Sequence, residues 1–213
     1  MLIHLFDRIN FSIAKPQRKD IKRLIEAQNG LPFSYPDVGS TKHLHPDETE
    51  FLSNRYRINH HRVRLGYGEE AFLRAKEAFR QWAMFRLKWV EFCSPEATLE
   101  PGTSVAILGQ VKQVWFLNVS RLVYSIDEDG PITRFGFGAG TLPGHVVCGE
   151  ERFVLEWDKK EGGVWYELLS FSHESHPIIN VGGELHSAQK RFARESGGAM
   201  VKFMRQGKIL PWA

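Results

Sequence analysis

Two hydrophobic periods alternate along the chain, and their order predicts the architecture. Ile21, Leu24 and Ile25 share one edge of a helical pattern between Pro16 and Asn29-Gly30, so a short helix is expected over 16–28. Residues 33–41 carry turn chemistry with two aromatics, and 42–54 are polar, which predicts surface loops. Alternation with period two starts at 55–65, where Tyr56, Ile58 and His60 oppose His61, Val63 and Leu65. Phe72, Ala75, Phe79 and Trp82 then form a single helical stripe, with Glu69 and Glu70 in the first turn, where the helix dipole favours acids. From Met84 the period returns to two. Phe85, Leu87 and Trp89 alternate with Arg86 and Lys88, and further strands are expected over 105–108, 114–126, two within 135–157, and 164–172. Asp127-Glu128-Asp129-Gly130 and 159–163 read as hairpin turns. Finally Val181, Leu185, Ala188 and Phe192, continued by Ala199, Met200 and Phe203, predict a helix over about 180–204 with a kink at Gly197-Gly198.

One strand before the first long helix, six after it and a closing helix make an α+β chain. Six consecutive strands on short turns form an antiparallel meander. A curved sheet of this kind leaves an apolar concavity that the last helix is placed to fill. The predicted architecture is a seven-stranded curved antiparallel sheet gripping a long C-terminal helix, the helix-grip order of Bet v 1 and START-like proteins. Residues 1–54 are expected as a helix-and-loop arm packed on the body, and 55–213 as the helix-grip body, one domain overall.

Composition narrows the functional classes. The 213 residues suit a single core that needs no disulfide. Cys93 and Cys148 alone make no disulfide framework, which points to a reducing compartment. The 28 basic and 25 acidic residues are nearly balanced and scattered, so nucleic acid is not the expected partner. No run approaches the ~20 apolar residues of a membrane helix. The start, M-L-I-H-L-F-D-R, has no basic leader or cleavage site, so a cytoplasmic protein without integral membrane association is expected.

The stretch Phe135–Trp157 carries the candidate chemistry. Four glycines and a proline lie between Gly136 and Gly144, and at least one of Gly138, Gly140 and Gly144 is expected at positive φ. Phe135 and Phe137 share one face of the first strand; Phe153, Leu155 and Trp157 share one face of the second, and Glu151 falls on that same face. A register in which paired numbers sum to 286 or 288 sets Glu151 opposite Phe135 or Phe137, inside the concavity. A carboxylate on an apolar face is a general base, or an acceptor for a ligand hydroxyl or amine, unless loop amides or an arginine hold it. His145, ending the loop, is the second candidate, as a proton shuttle or a turn cap. Tyr35 and Tyr67, in loops, could each offer a hydroxyl.

Other motifs carry less. Cys148 lacks an orienting third group for nucleophilic work. Gly66-x-Gly68 before a helix lacks the lysine and third glycine of a phosphate cradle. His60 and His61 point to opposite faces of one strand, and His43-x-His45 and His173-x-x-His176 have no further ligand at metal spacing, so neither metal nor cofactor is expected.

Several motifs together resemble the bacterial and plant family catalogued as domain of unknown function nineteen-ninety. They are Phe33-x-Tyr35-x-x-Val38-Gly39-x-Thr41, Leu65-Gly66-x-Gly68 with Phe72, Ala75 and Trp82, Phe137-Gly138-x-Gly140-Thr141-Leu142-Pro143-Gly144-His145, Gly149-Glu150-Glu151-x-Phe153 and Phe171-Ser172, over roughly 33–200. The chain departs from the pattern at Val146-Val147 and His173-Glu174. The resemblance implies family membership and no particular activity. From the residues, the leading reading is an internal cavity for a small, largely apolar or amphipathic molecule. Phe135, Phe137, Phe153, Leu155 and Trp157 line it, and Glu151 with Tyr67 or His145 fixes the polar end. The alternative is an enzyme of cyclase, isomerase or hydrolase type, with Glu151 as base and His145 as acid. The third is an interaction module meeting a protein through the last helix and the apolar tail.

Overall fold

Alternating apolar residues put the described strands into one antiparallel sheet. The computed structural model describes residues 3–5, 9–47, 49–175 and 184–206. Its strands are β1 (Ile3–Leu5), β2 (Ile9–Ser12), β3 (Arg57–Tyr67), β4 (Val90–Phe92), β5 (Ser104–Val111), β6 (Val114–Glu128), β7 (Ile132–Thr141), β8 (Val147–Asp158) and β9 (Gly163–Glu174). Four helices accompany them: α1 (Arg18–Gln28), α2 (Glu50–Ser53), α3 (Gly68–Arg80) and α4 (Glu184–Gln206).

The body is a seven-strand path, β4-β5-β6-β7-β8-β9-β3, in which the strand preceding α3 closes the meander by pairing with the last one. The sheet curls around α4, which is the helix-grip arrangement the element order predicts. The β1–β2 hairpin, which the sequence pattern did not reveal, adds two strands through Phe11 and Ser12 beside β6.

Two further expectations are corrected. The strand expected from Met84 is a 3-10 turn over Ala83–Phe85, and β4 starts at Val90. Trp82, at φ 51°, reverses the chain there, so that Trp82 and Phe85 both stack on Phe92, at 4.4 and 5.2 Å between ring centres. That aromatic cluster overrides the local alternation. At Gly197-Gly198, where a weak point or kink is expected, α4 continues without a break. A β-carbon on Gly197 would meet His61 Nε2 at 2.7 Å and Val63 Cγ1 at 3.1 Å. The glycine lets helix and strand approach closely.

The concave face is shared between two covers. At one end α3 and the 3-10 turn seal it: Phe79 meets Phe135, Phe137 and Tyr166, and Phe72 meets Trp157. At the other end α4 spans it, with Phe192 against Phe85 and Phe153. Val181, expected on that helix face, lies outside the described residues. On the convex face, Ile21 of α1 packs on Ala106, Leu108, Leu117 and Val119, while Tyr35, Leu44, Leu52 and Tyr56 pack on Leu169 and Phe171. Among the described residues, no helix is long and apolar enough to cross a membrane.

Candidate functional site

Successive residues of a strand face opposite sides, and in β8 this separates the two neighbouring glutamates. Glu150 faces the convex side and is only 2% exposed. Its Oε2 accepts hydrogen bonds from the Tyr35 hydroxyl at 2.7 Å and the Gly39 amide at 2.6 Å. Its Oε1 accepts from the Thr41 amide at 2.9 Å and from the Thr41 hydroxyl. Arg152, two residues on, donates to the carbonyls of Thr41 at 2.7 Å and Leu44 at 2.9 Å, and to Glu167 Oε1 at 2.7 Å. This buried network clamps the 35–44 loop onto the sheet. It explains chemically why the Tyr35-to-Thr41 motif and the Gly-Glu-Glu motif occur together.

Glu151 faces the concavity. Its ladder partners are Ala139 on β7 and Ser170 on β9. Paired numbers across β7 and β8 sum to 290, as in Phe137 with Phe153 and Phe135 with Leu155. The expected inward face is therefore kept, but Glu151 stands opposite Ala139 rather than a phenylalanine. Among the described residues its carboxyl has no hydrogen bond or ion pair, and burial pushes it up to about 8. The accessible part of the side chain faces a cavity of about 310 Å³.

The cavity lies under the first half of α4, beyond the part of the concave face that α3 fills. Trp82, Phe85, Phe116, Phe137, Phe153 and Phe192 supply its apolar wall, and Leu185, Ala188 and Gln189 its α4 side. Asn118, Ser120, Ser170, Ser172 and His145 add polar groups. His145 sits in the β7–β8 turn, where Gly144 adopts φ +85°. Its Nδ1 accepts the Val147 amide at 3.1 Å, which leaves the ring proton on Nε2. Burial pushes the imidazole down to about 4, so it is neutral at physiological pH. It can donate one hydrogen bond there, but it does not carry the extra proton that a role as acid requires.

Of the nine residues singled out from sequence, Phe137, His145, Glu151 and Phe153 therefore meet at one cavity. Phe135, Leu155 and Trp157 share the same face but belong to the core that α3 covers. Tyr35 is on the opposite face, bonded to Glu150. Tyr67 ends β3 at the surface, 60% exposed, beneath the Arg64 guanidinium. Gly138 and Gly140 lie within β7, not in the turn; their β-carbons would strike Tyr124 and Tyr35. Cys148 is a free thiol on the convex side, held protonated by burial. Ser170, which the sequence reading passed over, and Ser172, which it named only within a motif, carry a signal of their own: they are hydroxyls on the same strand face as the buried Leu168. Among the described residues, no group of three or more His, Cys, Asp or Glu could hold a metal ion.

Residues 34–199 match the family described as Domain of unknown function (DUF1990). A UPF0548 protein of Dictyostelium discoideum is 34% identical over 205 residues, covering 90% of this chain and 94% of its own length. A UPF0548 protein of Arabidopsis thaliana is 36% identical over 162 residues, covering 73% of this chain and 77% of its own. Among solved structures, Ara h 8.0201 is similar at a TM-score of 0.44 and 12% identity, over 70% of this chain and 97% of that one. With both motif halves located, one clamping the outer loop and one facing the cavity, the chain belongs to the DUF1990 family, whose relatives carry the name UPF0548.

Proposed function

We propose that the protein binds a small, largely apolar molecule in the cavity under α4, with Glu151 meeting its one polar group. The observation that carries this reading is a carboxyl without a partner among the described residues, on an aromatic wall and facing a cavity of about 310 Å³. A core selected only for stability would fill such a space or pair such a group, since each costs free energy. The volume is at the lower end for ligand pockets. Asn118, Ser120, Ser170 and the Nε2 proton of His145 offer further hydrogen bonds around the rim of the apolar wall.

A second reading, proton transfer on a bound substrate, draws on the same carboxyl. A group raised to about 8 holds its proton at neutral pH and can act as an acid. In that case the roles assigned from sequence reverse, with Glu151 as the proton source and His145 as a neutral hydrogen-bond donor.

Native mass spectrometry of the purified protein tests the main reading. The expected result is a mass increment from a retained small molecule, absent from an Ala188→Trp variant whose indole occupies the cavity. Identical bare masses for both proteins, together with no uptake of apolar probes by either, overturn it.

A further inference from the structure

The charge pattern of the cavity is one-sided. Glu151 brings an ionisable acceptor, and among the described residues no cation is paired with it. From β9 come Ser170 and Ser172; Tyr166, in the core beside the cavity, has its hydroxyl 3.0 Å from Ser196 Oγ and is held protonated by burial. From α4 come Ala188, Gln189 and Phe192, all uncharged. The β7–β8 turn brings His145, neutral because of its burial. Lys112, in the β5–β6 turn, is the one lysine or arginine among the described lining residues; it is solvent-exposed, and burial is what pushes the Glu151 carboxyl up. Glu150 also borders the space, with its carboxylate already occupied by Tyr35, Gly39 and Thr41.

The walls add to the same sign. Trp82, Phe85, Phe116, Phe137, Phe153 and Phe192 surround the space. Aromatic faces carry negative quadrupole density and attract desolvated cations. Donors for a carbonyl or hydroxyl ligand are already plentiful in the serines, Asn118 and His145. What stands without a partner among the described residues is an ionisable carboxyl on an aromatic wall, and its complement is a positive charge on an apolar body.

Resting on the ligand-binding reading above, we infer that the occupant of this cavity is a lipophilic amine, bound as its ammonium ion to the Glu151 carboxylate. The free ligand arrives as the ammonium ion, the Glu151 carboxyl releases its proton to solvent, and the ion pair forms; no bond to carbon changes. Below the folded pKa of Glu151, each amine bound therefore sets free about one proton. A neutral ligand of the same skeleton sets none free.

The test compares 4-phenylbutylamine with 4-phenylbutan-1-ol by titration calorimetry, in two buffers of different ionisation enthalpy, on the intact protein and on Glu151→Gln. The expected result is preferential binding of the amine, with release of about 0.9 proton per ligand at pH 7 for a group titrating near 8. Its affinity rises close to tenfold per pH unit between pH 6 and 7 and levels off above 8. In Glu151→Gln the proton release disappears and the amine loses its advantage over the alcohol. Equal affinity for alcohol and amine, with no proton release, overturns the amine inference and leaves the ligand-binding reading standing. Binding of neither skeleton to the intact protein, alongside an unliganded native mass, removes the ligand-binding reading and this inference with it. Amine binding that persists unchanged in Glu151→Gln also overturns the inference, since the ammonium then sits elsewhere.

Discussion

Ala139 stands directly across the β7–β8 ladder from Glu151, so a single methyl group borders the carboxyl on that side. A larger side chain at 139 would project into the cavity and across Glu151. Ala139→Phe is expected to abolish uptake of apolar or amine probes. Stability should change by less than the roughly 1–3 kcal/mol of overpacking in a filled core, because open space receives the ring. Probe titration and urea midpoints on the same sample check both halves.

Glu151 makes the fold sensitive to alkali. Its folded value of about 8 lies above the 4.5 of an ordinary glutamate. The native state therefore binds the proton more tightly than the unfolded chain. The associated stability is complete below pH 4.5 and is lost as pH rises through about 8. Each pKa unit is worth about 1.4 kcal/mol, so the loss by pH 7 is up to about 3 kcal/mol. Glu151→Gln should flatten this decline and raise the urea midpoint at pH 7 to 8.

His145 acts with the opposite sign. Its folded value of about 4 lies below the ordinary 6.5, so its contribution is present above 6.5 and is lost as pH falls through about 4. Between 4.5 and 6.5 the two groups offset one another. His145→Asn, whose Oδ1 can still accept the Val147 amide, is expected to remove the acid-side loss. Stability would then fall steadily from pH 4.5 to 8. A pH series of urea midpoints on the two single variants separates the contributions.

Glu150 is predicted to be structural. Glu150→Gln puts an amide group where Tyr35, Gly39 and Thr41 all donate, leaving at least one donor unmatched in a buried site. The expected loss is about 2–4 kcal/mol. Tyr35→Phe removes one charge-assisted bond and should cost about 1.5–3 kcal/mol. Neither variant should alter probe affinity under conditions where it is folded, which a binding isotherm in parallel with thermal melts would reveal.

Gly144 is held at φ +85°, and a β-carbon there would also meet Asn10 Nδ2 at 2.5 Å. Gly144→Ala is expected to destabilise by about 1 kcal/mol or more. Hydrogen exchange should rise at the Asn10 amide, which donates to the Gly144 carbonyl at 3.1 Å. Gly138 and Gly140, by contrast, are barred from alanine by the tyrosine rings against them rather than by backbone conformation.

The periodicities of the chain made much of this fold legible. The stripe of Phe72, Ala75 and Phe79 specified α3, which ends at Arg80, before Trp82, and the parity of Phe135, Phe137, Phe153 and Glu151 specified a shared face. What parity leaves open is how a face is divided. Phe135, Leu155 and Trp157 are indistinguishable in sequence from Phe137 and Phe153, yet of the five only Phe137 and Phe153 also border the cavity. That division depends on where a helix lands, a non-local matter. The β1–β2 hairpin was missed because its strands have only three and four residues, too short for their alternation to stand out. The role of Glu150 could have been read earlier. Two adjacent glutamates in a strand must point apart, and the outer one needed partners that the neighbouring tyrosine and threonine motif could supply.

The opposite orientation of Glu150 and Glu151 also sets a rule for chain length. The Leu142–Val146 turn delivers β8 to the sheet in one parity, and inserting or deleting one residue there without a compensating bulge would exchange the two carboxylates. The outer loop would lose its acceptor, and the cavity would receive a glutamate whose proper donors are on the other side of the sheet. Substitutions can adjust either half gradually, but a one-residue length change in this turn damages anchoring and binding together. Circular permutants or loop grafts at this turn should therefore preserve its residue count, or change it by two.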